Sequence, residues 1–592
     1  AEFAPTGLPP AEPAAPPARA RYQYLVAQLA LAQGDTAAAN AALETARLHD
    51  RDSPWLWLAL AELARAQGAE PLVERARVAE AVRLGPELSE TWTALGEVSA
   101  RLGDRAAAEA AWRRATELGA GSSAWDPLIR SELEAGDTSA ATTSVAAWSA
   151  LPETDRGWLR ERGRARLQVG DLAGAVDDLA EALRDTPDDA RLVDEFVAAV
   201  TGSRRYRKGL ETLGLLTRLR LSDTDLLLRT VHLAQRAEDP VRARDALVSL
   251  DRLLGGRDAQ IKLWIAEAAT TLRDGPAAFA ALDAAAECQP PAQDLSLHRA
   301  KALRAFGRPR EALAQLRVPD SGPNRVDAQA LRVRLLVEVG RAADARAEAE
   351  AALSARPDDY ALLGALVAAC AALDDRAAML DAVDHMAGLG PEARARTRAR
   401  SLAGVGDLDG ALEALRATPM TEAETWILGG SLLRDAGRLP ESVSWMERAT
   451  DRFPTDARVR SSLGLALGAA GAGSDALIAM REALSLDPTE PDAARVYARV
   501  LARPGTPTDR LTQADGFVRA ALEGHPADPG LLVALGDVQA TLGRPAVAAA
   551  VWEEARRYAP ADVELTRKLA AVWNELGRTA DADRLLRGLE RR

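Results

Sequence analysis

Alanine and leucine fall at helical spacing in one short run, the run breaks at a glycine-centred turn, and a second run of the same kind follows. This pattern recurs about 17 times at a period of about 34 residues. Three copies display it: "WTALGEVSARLGDRAAAEAAWRRATELGA" from Trp92, "WILGGSLLRDAGRLPESVSWMERATDRFP" from Trp426 and "LVALGDVQATLGRPAVAAAVWEEARRYAP" from Leu532. Each copy predicts a helix, a turn and a second helix. One such unit cannot bury its apolar face alone, so the units must stack into a core that grows lengthwise.

The turn residue sets the register. It is glycine at Gly34, Gly68, Gly103, Gly136 and Gly170, and again at Gly307, Gly340, Gly406, Gly437, Gly471, Gly543 and Gly577, with a looser turn near Gly505. Glycine there accepts the left-handed conformation that ends a helix. In the central copies the same place falls to Arg204, Glu238, Arg273 and Asp374. Around the turns, small residues recur where helices must cross. Gly96, Ala108 and Ala115 do so in the third copy, with Trp112 filling the space between units; Gly464, Ala476, Met480 and Ala483, and Gly536, Ala548, Trp552 and Ala555, are equivalent sets. A closing proline, as at Pro187, Pro454, Pro488 and Pro560, stops the second helix.

These positions resemble the tetratricopeptide repeat over about Arg21 to Arg592. The resemblance implies an all-α fold, a right-handed α-solenoid superhelix of about 17 helix-turn-helix repeats, with first helices lining a concave inner surface and second helices forming the convex outside. Ala30, Ser99, Leu433 and Leu467 stand where the family usually carries a tyrosine, and the copies ending near Pro319 and Thr418 are short in the second helix. Longer loops at 289–294, 318–327 and 503–510 mark expected changes of pitch. Residues 1–20 read as a Pro/Ala-rich linker or tether ahead of an array over 21–592. After Gly577 only a second helix follows, with no polar cap. The expectation is that Leu585, Leu586 and Leu589 are exposed, self-associate or adjoin further protein.

Composition narrows the class. Hydrophobic residues make up 47% of the chain and aromatics only 4%, so alanine supplies much of the apolar surface of closely packed helices. The net charge of −13 argues against a nucleic-acid partner, and no apolar run reaches the ~18 residues of a membrane span. The cations are four lysines against 70 arginines, the mark of a GC-rich genome. Cys288 and Cys370 lie in non-adjacent repeats, which predicts two buried thiols rather than a bridge. The chain opens Ala-Glu-Phe, as expected of a removed signal or anchor, or of a start inside a longer protein. An exported, periplasmic location is the expectation, and a cytoplasmic one the alternative.

No constellation of a catalytic, cofactor or metal site is present: the five histidines fall in different repeats, and HExxH, GxSxG and phosphate-loop spacings are missing. Acidic pairs such as Asp177-Asp178, Asp188-Asp189, Asp358-Asp359 and Asp374-Asp375 read as helix caps and solvated faces. Most tryptophans read as core. Trp55 and Trp57 cannot both face inward, and Trp55 is the better exposed aromatic.

The family resemblance places the residues one, five and eight after its tryptophan position on the inner wall. Those 51 residues hold 13 basic against 6 acidic, where composition would give about 6 and 8. The candidate partner-binding residues are Trp55, Arg65, Arg130, Arg160, Arg164, Lys301, Arg304, Arg334, Arg396 and Arg400, with Arg434, Arg495, Arg499 and Arg567 completing the basic set. Arginine forks there would grip the carboxylates of an extended, acidic peptide or an anionic polysaccharide. The alternative is that these arginines pair with neighbouring acids. The Lys and Asn pattern of carboxylate-clamp repeats is missing. The function expected is a non-catalytic protein-interaction scaffold, similar to those of bacterial envelope secretion or exopolysaccharide assembly. The alternatives are the repeat portion of a larger glycosyltransferase or peptidase, and a cytoplasmic adaptor or regulator.

Overall fold

The computed structural model describes residues 18–151, 158–289, 294–386, 388 and 390–590. Among them are thirty-four helices, numbered in chain order from α1 (Ala18–Ala32) to α34 (Thr579–Glu590), which pair into the helix-turn-helix units of an all-α solenoid. Odd-numbered helices come first in each unit and even-numbered ones second.

The turn chemistry repeats with the period. At the end of α1, Gly34 takes φ 78°, the Asp35 amide donates to the Ala30 carbonyl at 2.9 Å, and the Asp35 carboxylate accepts from the Ala38 amide at 2.9 Å. The first bond closes one helix and the second caps the next, the cap contributing about 1 kcal/mol. Asp104, Asp137, Asp239, Asp274, Asp375 and Asp407 repeat both bonds. Arg204, Glu238, Arg273 and Asp374 hold φ of 58°, 52°, 57° and 58°, at the turn positions the register assigned to them. An L side chain there costs about 1–2 kcal/mol, which the flanking helices hold in place.

Within units, large side chains of second helices fill hollows over first-helix glycines. Trp112 lies over Gly96 and Trp552 over Gly536, and a Cβ at Gly464 would sit 2.8 Å from the Met480 Cε. Trp57, Trp92 and Trp426, all at one register position, donate their indole N–H to the carbonyl six residues earlier, at 3.3, 2.8 and 3.0 Å. That bond ties the start of a first helix to the connection before it. Cys288 and Cys370 are free and buried.

The chain divides into two compact units, Ala1–Ser203 and Arg204–Arg592, a division with no counterpart in composition. In the first, α9 (Trp158–Val169) and α10 (Leu172–Asp185) enclose an ion pair. Both nitrogens of the Arg162 fork reach Asp178, at 2.9 and 2.8 Å, and Arg166 adds a third contact at 2.9 Å. Asp178 is only 3% exposed. The reading of this acidic pair as a cap or solvated face is therefore wrong for Asp178, whose charge survives burial because three guanidinium contacts meet it.

The second unit returns on itself. Helix α12 (Tyr206–Leu219) packs on α30 (Thr508–Gly524), and the turn before α14 (Pro240–Leu253) meets the end of α32 (Pro545–Tyr558). Arg207 bonds Glu554 at 3.2 Å, Arg557 bonds Asp245 at 2.6 Å, and the Lys208 amide donates to Glu523 at 3.3 Å.

Two expectations change. Helix α1 begins at Ala18, so the tether expected over 1–20 gives up its last three residues to the array, and the rest lies outside the described residues. The expected loop at 289–294 falls largely outside them too, whereas α18 (Pro309–Gln315) and α24 (Leu408–Arg416) are short. Leu585, Leu586 and Leu589 are half-buried rather than exposed, because Leu585 and Leu586 pack on the core that contains Trp552 and Trp573.

Candidate functional site: the inner faces of the first helices

In the first unit a groove of about 520 Å³ crosses α1, α3 (Pro54–Ala66) and α5 (Ser89–Arg101), ending at the connection before α7 (Ser122–Glu134). Tyr24, Gln28, Leu58, Glu62, Arg65, Thr93 and Glu97 line it, all at the three register positions assigned to the inner wall. Trp55 lines it as well, while Trp57 is committed to its bond with Arg51. Gln28 donates to Glu62 of the next repeat at 3.4 Å, so residues six before the turn adjoin one another along the wall.

Carboxylates dominate this groove. Glu74 is buried and held by Arg101 at 2.5 Å. Burial raises the Glu97 carboxyl above the ordinary value, outweighing the nearby Arg65 and Arg101 guanidiniums. The Tyr24 hydroxyl is pushed up to about 12, first by burial and then by the Glu62 charge.

Most of the other candidates are paired. Arg164 meets Glu195 at 2.7 Å, Arg304 meets Glu338 at 2.6 Å, and Arg396 meets Glu422 at 2.5 Å with Thr425 at 3.0 Å; Arg160 meets Asp189. In all four the acid comes from the following repeat, so these arginines act first as rungs between units. Arg130 is 3.7 Å from Asp126 on its own helix, Arg495 pairs with Asp492, and Arg434 lies 3.4 Å from Asp435. Lys301, Arg334, Arg400, Arg499 and Arg567 are exposed, and none has an ion pair among the described residues.

Residues 427–491 and 533–590 match the tetratricopeptide repeat family. Those two stretches carry tetratricopeptide repeats. No curated protein matches it. Similar solved structures include the APC/C hetero-tetramer Cut9-Hcn1 (14% identity, TM-score 0.28, covering 94% of this chain and 96% of that one) and Naa15/Naa10 bound to HypK-THB (14%, 0.30, 97% and 99%). Yeast Tom70 is similar at 14% identity and TM-score 0.31, over 84% of this chain and 96% of its own. At these values the likeness bears on neither partner nor activity.

The tetratricopeptide register thus sorts the candidates. Only Trp55 and Arg65 share one groove; the others are spread along the repeats, some paired and some free. The residues that sequence reasoning passed over are Tyr24, Gln28, Glu62 and Glu97. Their signal was present at the same three positions, but a count of charge signs over all repeats merges an acidic end with a basic remainder. Among the described residues no group of three or more His, Cys, Asp or Glu side chains is placed to hold a metal ion, and no helix is long and apolar enough to cross a membrane.

Proposed function

We propose that this chain is a non-catalytic scaffold whose second unit grips an acidic, extended segment of another protein. The observation that carries this reading is the row formed by Lys301, Arg334, Arg400 and Arg499, each six residues before its turn, all exposed and without an ion pair among the described residues. Residues at that position adjoin across repeats in the first unit, as Gln28 and Glu62 do. In the second unit the Arg499 charge acts on Asp537, its equivalent in the next repeat. Cations at this position in four of seven successive repeats, with Ala368, Ser431 and Leu465 in the other three, suit carboxylates spaced along an extended chain. Many weak contacts of this kind give an affinity set by a few anchors.

Titration of the full chain with a peptide of alternating glutamate and alanine, at low and at physiological salt, tests the reading. Binding that weakens steeply with salt supports it. Failure to bind at low salt, or equal binding of an alternating arginine and alanine peptide at the second unit, contradicts it.

We place this scaffold outside the cytoplasm, in an envelope assembly that exports or builds a polymer, on the strength of the Pro/Ala-rich stretch from Pro5 to Ala20 and of the family resemblance. An anionic polysaccharide then becomes the second occupant to try in the same titration. Fractionation of cells carrying the tagged full-length gene product tests the location: recovery in the cytoplasm contradicts it.

A further inference from the structure

The first-unit groove carries the opposite charge from the row in the second unit, and three of its carboxylates have no ion pair among the described residues. Glu62 accepts only a 3.4 Å bond from the Gln28 amide, and Glu90 a 3.2 Å bond from Ser89. Glu97 has no hydrogen bond or ion pair among the described residues, although the Arg65 and Arg101 charges act on it, and Glu74 pairs with Arg101. Against these three stands one lining cation, Arg65. Two acids at inner-wall positions elsewhere are met, Asp126 by Arg130 at 3.7 Å and Asp537 by Lys568 at 2.9 Å, whereas Glu267 is exposed and has no ion pair among the described residues. The groove therefore holds about two negative charges in excess, beside an apolar wall of Trp55, Leu58 and the ring of Tyr24.

Its dimensions select the class of occupant. First helices spaced about 8–10 Å apart give a floor of about 20 Å across α1, α3 and α5, the reach of about six extended residues. The volume of about 520 Å³ lies within the roughly 300–1,000 Å³ of formed binding sites. A long aliphatic stem laid along Leu58 and Trp55 would carry a cationic head to the carboxylates.

We propose that this groove binds an extended, lysine- or arginine-bearing segment of another protein, with the cationic side chain between Glu62 and Glu97 and its stem against Trp55 and Leu58. The site is separate from the acidic-segment row, so either can fail without the other. Two partner segments of opposite charge would then be held by one chain.

The test uses the full chain and a fluorescein-labelled octapeptide of alternating arginine and alanine, read by anisotropy at about 150 mM salt. The wild type binds it, and Glu62→Gln with Glu97→Gln weakens binding by about tenfold or more. Trp55→Ala weakens it through the stem, while Glu87→Gln, an exposed carboxylate outside the groove, leaves it unchanged. Melting curves of each variant establish that it is folded. No binding by the wild type overturns the proposal, as does binding that the double variant leaves intact. Displacement of the peptide by equimolar spermidine also overturns it, because the site would then take a free amine rather than a polypeptide.

Discussion

The Tyr558 hydroxyl donates to the Asp239 carboxylate at 3.1 Å, joining two residues 319 positions apart in the second unit. Asp239 is almost wholly buried, and it also caps α14 through the Arg242 amide and receives the Arg242 guanidinium, both at 2.9 Å. Burial, and then the Asp239 charge, raise the Tyr558 hydroxyl above the ordinary tyrosine value. It therefore stays protonated, and the bond intact, through the range in which a free tyrosine ionises. Tyr558→Phe removes one donor from a buried carboxylate and costs about 1–3 kcal/mol. Hydrogen exchange should show faster opening of α12, α14, α30 and α32 together; a loss of protection confined to α32 would mean that the contact holds nothing closed.

Acid should loosen the second unit at Glu392. Burial alone would raise this carboxyl, but the Thr421 amide and hydroxyl, both at 2.6 Å, the Thr425 hydroxyl at 2.8 Å and the Glu422 amide at 3.0 Å hold it down at about 2, against the ordinary 4.5. A depressed folded value means that the contribution is complete above pH 4.5 and is lost as the pH falls toward 2. Melting temperatures measured across that window should fall more steeply for the wild type than for Glu392→Gln, which should itself cost about 1–3 kcal/mol at neutral pH. Parallel slopes would show that the four donors do not tune this carboxyl.

Glu238→Gly should stabilise the protein. Glu238 holds φ 52° at a turn where most repeats place glycine, and relief of that strain is worth about 1 kcal/mol. Denaturant melts check the sign: an unchanged or lowered midpoint would mean that the Glu238 side chain supports the turn in some other way.

Much of this fold was legible because its period makes each repeat evidence for the others. Arg204, Glu238, Arg273 and Asp374 carry no local sign of a left-handed turn, yet the register alone placed them. The candidate site was harder to read. Arg160 and Arg164 sit at inner-wall positions like Lys301 and Arg334, but their partners Asp189 and Glu195 come from the next repeat, and only the rotation between stacked units decides which side chains meet. Asp178 was misread because Arg162, on the other helix of the same repeat, is 16 residues away and reaches it only after α9 and α10 pack.

The central claim is that unpaired cations six residues before the turn, and not the paired arginines, recognise the partner. The most direct measurement is the affinity of the full chain for the alternating glutamate and alanine peptide in two variants, one with Lys301→Gln, Arg334→Gln and Arg400→Gln, the other with Arg304→Gln alone. The account predicts a loss of about tenfold or more in the triple variant and little change in the single one, since Arg304 is already held by Glu338. Unchanged affinity in the triple variant would contradict it.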